Sequence, residues 1–302
     1  MRHSTTPIWQ GLAQVLRQQV RALAGHVEGA RRGSVRDVHQ ARVASRRLRE
    51  ALPVAVRAVP GAGAASARVR VRRLTVALGG VRELDVARET FQAECTRHGW
   101  RLPVVRRIQQ HLDRERRRCG RRMREQLARV DVPRLETAIA TLASALDADQ
   151  SRAWSPVLGA RLRRRAERFG EALDDVGTLY AADRLHAVRI AAKKLRYTLE
   201  LSASAGRLPV GREIAMLKRV QQLLGRLHDL QILQSHVQAV AAAAASEVRL
   251  RRALDEILAV FEAECRGLHA RFLGRRPALA QLPGRAKAAA APWRAAKGRA
   301  RR

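Results

Sequence analysis

The sequence contains few acidic residues and few aromatic residues for its length. Its 302 residues include 27 Asp and Glu against 60 Lys and Arg, so the formal net charge at pH 7 is +33. A chain this positive requires an acidic partner, because its compact state otherwise repels itself. Aromatic residues make up only 3% of the chain, which argues against proteins that stack single-stranded bases on aromatic side chains. The apolar fraction of 46% excludes a wholly disordered basic protein.

Cysteine is also scarce, and its spacing argues against two classes of protein. Cys95, Cys119 and Cys265 form no CxxC pair and no Cys/His cluster, unlike a secreted disulfide framework or a structural zinc site. The segment after Met1 is charged and amphipathic, whereas a signal peptide has an apolar core. The alanine-rich stretch 230–246 contains several glutamines and is too polar to cross a membrane. We therefore expect a cytoplasmic protein with free thiols and no membrane contact.

Apolar residues recur at helical spacing along almost the whole chain, and strand signals are nearly absent. The sequence therefore predicts an all-α fold. Beyond residue 274 the chain carries nine basic residues and no acidic one, and we expect this part to lack the apolar surface needed to fold. The predicted divisions are a first helical bundle at 1–132, a linking helix at 133–148, a second helical bundle at 149–274, and a basic disordered tail at 275–302.

Two sequence blocks occur twice, at nearly the same separation. The block HQARVASRRLR, which begins at His39, recurs 147 residues later as HAVRIAAKKLR from His186, with eight of eleven positions identical or conservatively replaced. The block LGGVRELD, which begins at Leu78, recurs 146 residues later as LGRLHDLQ from Leu224. Two matches at nearly one offset indicate an internal duplication. We therefore expect two pseudo-twofold-related four-helix bundles with a basic cavity between their matching faces.

The first repeated block places four basic side chains along one face of a helix. Their spacing of i, i+3, i+7 and i+10 confines them to an arc of about 80° beside the apolar stripe. Such a charge run is often a solvated helix face, but residues 38–49 contain no acid to balance it. The cations repel one another unless an anion lies against them, and arginine presents forked donors suited to phosphate oxygens. The predicted anion-binding rows are His39, Arg42, Arg46 and Arg49 (the first row) and His186, Arg189, Lys193 and Arg196 (the second row).

The second repeated block extends this basic lining from a neighbouring helix. Its candidate residues lie ten positions apart on one helix face in each half, and they are Arg72, Arg82, Lys218 and His228. Gly79 and Gly225 interrupt the middle of these helices at a cost in stability, which predicts a close approach of another helix. Glu83 and Asp229 are interpreted as ion-pair partners that orient nearby arginines. They are not interpreted as a catalytic acid pair.

The two motif histidines have two open interpretations. A metal site is unfavourable, because each histidine is surrounded by cations and lacks further ligands. A general base would need a nucleophile, and the spacing supplies none. Each histidine is therefore either a phosphate donor or a packed hydrogen-bonding group between helices. With phosphate nearby, His39 and His186 should favour the charged form, which strengthens binding at mildly acidic pH. The sequence predicts no catalytic residue, no metal and no cofactor.

The four blocks together resemble the CHAD family, the conserved histidine α-helical domain, over roughly residues 8–273. The resemblance implies two pseudosymmetric four-helix bundles with a basic cavity between them. It also implies binding of inorganic polyphosphate and association with polyphosphate granules. By motif match, the anion contacts carry over to both rows and to the four residues of the second block. Many members are fused to a triphosphate-tunnel CYTH domain, but the acidic strand motif of that domain is not found in this sequence.

The sequence departs from the family pattern at three positions. Glu83 and Gln231 stand where the pattern usually has aspartate. His228 is the counterpart of Arg82 in the second half, and it stands where the pattern has an arginine. The departure at His228 predicts a weaker basic lining in the second half.

Three classes of function remain in view. The first is non-catalytic binding of inorganic polyphosphate, with targeting to polyphosphate granules. The alternative is a nucleic-acid-binding protein that uses the same basic surface, which the scarcity of aromatics and the absence of a zinc-finger or zipper pattern disfavour. An enzyme of polyphosphate or nucleotide metabolism has less support, because the sequence contains no P-loop motif and no acidic cluster for Mg²⁺.

Overall fold

The computed structural model describes residues 11–60, 64–149, 153–206 and 208–293, and these form ten α-helices and no strand. The predicted all-α fold is therefore confirmed. The helices are α1 (Leu12–Arg31), α2 (Val35–Ala58), α3 (Ala64–His98), α4 (Leu102–Ala128), α5 (Val132–Ala148), α6 (Trp154–Asp174), α7 (Ala182–Gly206), α8 (Gly211–Ala243), α9 (Val248–Ala280) and α10 (Leu282–Ala289). A 3-10 turn follows at Ala291–Trp293. No helix in these ranges is both long and apolar enough to cross a membrane.

Local sequence explains where α2 begins. Gly33 has a φ of 89°, a left-handed conformation that glycine adopts without strain. The next residue, Ser34, is the N-cap, and its hydroxyl oxygen accepts a hydrogen bond from the backbone N–H of Asp37 at 3.3 Å. The carboxylate of Asp37 lies in the first turn of α2, where the positive end of the helix dipole stabilises its negative charge. The residue at which α2 begins therefore sets which face of the helix carries the first row.

The apolar core consists of two clusters, and α3, α4, α6 and α7 contribute to both. One cluster joins α1, α2 and α5 to residues 67–81 of α3, to the end of α4, and to Leu158, Leu201 and Ala205 of α6 and α7. The other joins the rest of α6 and α7, together with α8–α10, to residues 84–91 of α3 and to residues 104–112 of α4. A helix of 35 residues such as α3 is about 50 Å long and extends beyond a single bundle. The cores therefore divide within these four helices, whereas the predicted boundaries between the two bundles fall near the two ends of α5.

The segment predicted as a linking helix is α5, and it packs into the first core. Leu135, Ile139, Leu142 and Leu146 follow helical spacing and are at most 6% exposed. They face α1, α2 and α3. The helix thus contributes apolar surface to the first core as well as connecting the halves.

The prediction of a disordered tail from residue 275 is wrong for residues 275–293. There α9 continues to Ala280, and α10 packs on α6. Leu279, Leu282, Ala286 and Ala290 are at most 1% exposed, because their spacing forms an apolar stripe that the dense positive charge obscures in the sequence. Residues 294–302, which were also predicted to be disordered, lie outside the described residues.

Helix contacts between the halves place the repeated blocks side by side. The two helices that carry the rows, α2 and α7, pack against each other, and α3 packs against α8. The helix α6 contacts both α2 and α7. The candidate site is therefore built where α2, α3, α6, α7 and α8 meet.

Candidate functional site

Three adjoining clefts follow the contact between α2 and α7. We name them the central cleft (about 400 Å³), the inner cleft (about 120 Å³) and the side cleft (about 390 Å³). Arg42 and Lys193 line both the central and the inner cleft. Glu50 and Tyr197 line both the central and the side cleft. Because they share lining residues, the three clefts adjoin one another, and we refer to them together as the groove.

The central cleft is strongly basic. It is lined by seven cationic side chains and one carboxylate, Glu50. That carboxylate accepts hydrogen bonds from Arg161, the shorter at 2.6 Å, and lies 3.9 Å from Arg165. The remaining five form no ion pair with any described residue, and we call them the unpaired cations: Arg42, Arg46, Arg49, Lys193 and Lys194. They leave the cleft with a large excess of positive charge.

A glycine in α3 makes room for the first unpaired cation. A Cβ atom at Gly79 would lie 3.0 Å from Nη1 of Arg42, so any larger residue would displace this guanidinium. Burial lowers the pKa of Arg42, and the neighbouring charge of Arg46 lowers it further. The contact at Gly79 is thus with the end of the Arg42 side chain and not with the backbone of another helix. The predicted close approach is absent at Gly225, where no atom outside its own helical turn lies within 4 Å of the corresponding Cβ position.

Tyr197 holds two arginine side chains of the repeated blocks. The guanidinium carbons of Arg46 and Arg196 lie 4.7 Å and 4.6 Å from the centre of its ring. Nη2 of Arg46 is buried without a hydrogen-bond partner among the described residues, and so is Nε of Arg189. A buried charged donor without an acceptor is costly, by about 1–3 kcal/mol or more. These two nitrogen atoms are thus buried guanidinium donors that lack an acceptor among the described residues.

The inner cleft combines cations with two carboxylates and a histidine. It is lined by Arg42, Arg82, Glu83, Arg189, Lys193, His228 and Asp229, together with apolar side chains. Burial raises the pKa of Asp229 to about 6, although Arg189 nearby favours its charged form. Burial also lowers the pKa of His228 to about 4, and Arg189 acts in the same direction. At neutral pH the histidine is therefore uncharged and the aspartate is mostly ionised.

The predicted ion pairs of Glu83 and Asp229 are not formed. Neither carboxylate makes a salt bridge with a described residue, although both line the inner cleft beside Arg42, Arg82 and Arg189. Their effect on Arg189 is through space, since both carboxylates favour its charged form. They act as fixed negative charges in the cleft.

The inner cleft contains both members of three pairs that the repeat matches. The pairs are Arg42 with Arg189, Arg82 with His228, and Glu83 with Asp229. Positions that are about 147 residues apart in the chain thus line one small space. The only pair that differs in charge at neutral pH is the second, in which a histidine opposes an arginine.

Eight of the twelve predicted residues line the groove. Seven line the central or inner cleft: Arg42, Arg46, Arg49, Arg82, Arg189, Lys193 and His228. The eighth, Lys218, lines the side cleft. The other four, His39, Arg72, His186 and Arg196, line none of the three clefts.

These four lie at the margin or serve another role. Arg72 is exposed on α3. Arg196 donates to Glu200 at 2.7 Å and to Gln221 at 2.8 Å, so its charge is already compensated. His39 and His186 are exposed. Partial desolvation lowers the pKa of both histidines, with a further contribution from Arg82 at His39 and from Arg189 at His186.

Sequence reasoning missed four residues of the central cleft. Arg161 and Arg165 come from α6, where their i, i+4 spacing was the available signal. Lys194 and Tyr197 lie in or directly after the second repeated block. No cluster of three or more His, Cys, Asp or Glu side chains in the described part of the chain is placed to hold a metal ion.

Solved structures with the same fold come from a bacterium and a plant. PptA from Streptomyces chartreusis aligns over 92% of this chain and 97% of its own, with a TM-score of 0.60 and 17% identity. The crystal structure of the CHAD domain from the plant Ricinus communis aligns over 89% of this chain and 96% of its own, with a TM-score of 0.56 and 24% identity. The comparison with curated proteins finds no match. The family model for the CHAD domain matches residues 14–238, which is most of the chain, and the chain therefore belongs to the CHAD family.

Proposed function

We propose that this protein binds inorganic polyphosphate without catalysis, in the central and inner clefts between α2 and α7. The observation that carries the proposal is the set of five unpaired cations in the central cleft, together with the partnerless donors on Arg46 and Arg189. A protein gains nothing from holding guanidinium groups half-buried without acceptors unless a ligand supplies those acceptors. Membership in the CHAD family, whose members bind polyphosphate, points in the same direction.

The shape of the groove favours a linear polymer of phosphate over a single small anion. The cations follow α2 and α7 at intervals of about 4.5–6 Å along each helix axis. They continue from the central cleft into the inner cleft through Arg42 and Lys193. A chain with one charge on every phosphate can contact many of these cations at once. A single phosphate would leave most of them without an acceptor.

The same groove is less suited to single-stranded nucleic acid. Such binding depends on aromatic side chains that stack with successive bases. The central cleft is lined by one aromatic residue, Tyr197, and two guanidinium groups already pack on its ring. Phosphate contacts would therefore have to supply nearly all of the affinity, and polyphosphate offers more of these per unit length.

The test is a competition assay combined with matched charge-removal variants. Labelled long-chain polyphosphate is displaced by unlabelled polyphosphate, single-stranded DNA or duplex DNA at about 150 mM salt. The site variant replaces Arg42, Arg46, Arg189 and Lys193 with alanine. The control variant removes equal charge from the outer face of α4, at four arginines that are exposed. Its changes are Arg114→Ala, Arg117→Ala, Arg121→Ala and Arg124→Ala.

We expect the site variant to lose polyphosphate binding while keeping its helical circular dichroism. The α4 control should bind nearly as tightly as the unaltered protein. Displacement by DNA at equal phosphate concentration would contradict the proposal, and so would equal losses in the two variants. Release of orthophosphate from polyphosphate by the purified protein would refute the non-catalytic part. In cells, we expect the unaltered protein to localise to polyphosphate granules and the site variant to fail to do so.

A further inference from the structure

The central and side clefts occupy corresponding positions in the two repeats. They share a wall formed by Glu50 and Tyr197, which the offset of 147 residues matches to each other. The same offset matches Gln18 of the side cleft to Arg165 of the central cleft. The side cleft is therefore the counterpart of the central cleft on the other side of the α2–α7 contact.

The two counterparts differ sharply in charge. Seven cations face one carboxylate in the central cleft, whereas the side cleft has Arg47 and Lys218 against Glu50 and Glu200. The formal charge of the side cleft is thus balanced. A phosphate chain that continued from the central cleft into the side cleft would meet only two cations there, beside two carboxylates that are paired with Arg161 and Arg196, and would gain much less attraction than in the central cleft. The phosphate track ends at the wall formed by Glu50 and Tyr197.

The remaining lining of the side cleft is suited to a neutral organic group. Apolar side chains from three helices form much of its wall, and they are Val15, Leu201, Ala203 and Ile214. Polar groups with both donor and acceptor capacity lie among them, on Gln18, Gln19 and Ser204. Its volume of about 390 Å³ lies within the range of small-molecule sites, where a few polar groups orient a ligand against apolar walls.

From this juxtaposition we infer that the side cleft binds the nucleoside of a nucleoside polyphosphate whose phosphates lie in the central cleft. The inference rests on the proposed phosphate-binding role of the central cleft. A nucleoside polyphosphate joins a chain of charged phosphates to a neutral group that is partly apolar and rich in hydrogen-bonding sites. Its base can contact the apolar wall and the amide of Gln18. Its sugar hydroxyls can donate to carboxylate oxygens of Glu50 or Glu200 at the boundary.

The test compares two ligands that contain the same number of phosphates. Adenosine 5′-triphosphate and inorganic tripolyphosphate are titrated against the full chain in the presence of EDTA, which removes divalent cations. Tripolyphosphate carries the higher charge, so a purely electrostatic groove binds it more tightly. We expect the nucleotide to bind at least about tenfold more tightly, because its nucleoside adds contacts in the side cleft.

A cavity-filling variant tests whether the tighter binding of the nucleotide comes from contacts in the side cleft. Ser204 is exposed and lines the side cleft, so Ser204→Trp should fill the cleft while preserving the fold. We expect it to reduce nucleotide affinity to that of tripolyphosphate and to leave tripolyphosphate and long-chain polyphosphate affinities unchanged. Gln18→Ala, also at an exposed position, should reduce the nucleotide advantage severalfold. Ser235→Trp is the matched control, because Ser235 is an exposed serine on α8 that lines none of the three clefts.

Several outcomes would overturn the inference. Nucleotide binding no tighter than tripolyphosphate binding would show that the side cleft adds nothing. A nucleotide advantage that persists in Ser204→Trp would place the nucleoside elsewhere, and an equal loss of all ligands in that variant would rule out a separate subsite. Failure of the polyphosphate proposal gives a different result, in which the unaltered protein binds none of these ligands tightly.

Discussion

The steepness of the salt dependence should be proportional to the number of cations that the groove offers to phosphate. Five unpaired cations line the central cleft, and Arg189 adds one more in the inner cleft. Arg82 also lines the inner cleft, but it already forms a 3.2 Å ion pair with Glu89. About six cations therefore replace condensed counterions when a phosphate chain binds. Removing four of them, in the site variant of Arg42, Arg46, Arg189 and Lys193, leaves about two.

These numbers give definite slopes. A flexible single-stranded polyanion loses affinity with a slope of about −0.7 per contact in a plot of log K against log salt, as single-stranded nucleic acid does. Six contacts predict a slope of about −4, so raising salt from about 50 to about 200 mM weakens binding about 300-fold. Two contacts predict a slope of about −1.4 and a loss of only about sevenfold over the same range.

The assay is a set of binding isotherms with labelled long-chain polyphosphate at four salt concentrations. It is applied to the unaltered protein, the site variant and the α4 control variant. The α4 control removes the same formal charge and should keep a slope of about −4, because its arginines do not line the groove. A site variant that keeps the full slope would refute the reasoning. An α4 control whose slope falls as far as that of the site variant would show that diffuse charge binds the polymer.

Four further predictions test single features of the structure. Because burial raises the pKa of Asp229 to about 6, this carboxyl group stabilises the folded protein below about pH 4, and the stabilisation is lost as the pH rises through 6. Asp229→Asn should remove this pH-dependent loss of stability in urea unfolding. The same change should reduce, by roughly tenfold, the ratio of polyphosphate affinity at pH 5 to polyphosphate affinity at pH 7.5. Gly79→Ala should raise stability by about 0.5–1 kcal/mol through helix propensity, yet weaken polyphosphate binding severalfold because the guanidinium packed against it must move. Glu94→Ala should cost about 3 kcal/mol in urea unfolding, because Glu94 is fully buried and its ion pair with Arg226 joins α3 to α8. Deleting residues 275–302 should lower the melting temperature, since it removes helices that pack on α6.

Helical class, capping and the positions of the rows could be predicted from the sequence because they depend on local spacing. Ser34 caps α2, as its hydroxyl and the following residues indicate. Arg42, Arg46 and Arg49 lie on one side of α2 because a helix fixes their relative angles. The sequence also showed that Gly79 lowers helix stability, and its close contact with the Arg42 side chain explains why a glycine stands there.

The remaining features depend on packing that periodicity does not encode. Arg196 has the same place in its block as Arg49, but Glu200 lies one turn further along α7 and captures its guanidinium. The contribution of α6 depends on how that helix crosses α2 and α7. The sequence alone therefore could not place Arg161 and Arg165 at the site.

Net charge by itself does not locate the binding site, because arginines cover much of the surface. The groove differs from the outer face of α4 because Arg42, Arg46 and Arg189 are partly removed from water, whereas the four arginines of the α4 control are exposed. Burial lowers the pKa of Arg42 and of Arg189, and Arg46 holds a buried nitrogen without an acceptor. The groove therefore carries a free-energy cost that, under the proposed function, phosphate oxygens would remove on binding. On this proposal, affinity and specificity arise from a few desolvated cations, and the rest of the net charge of +33 acts at long range to speed association.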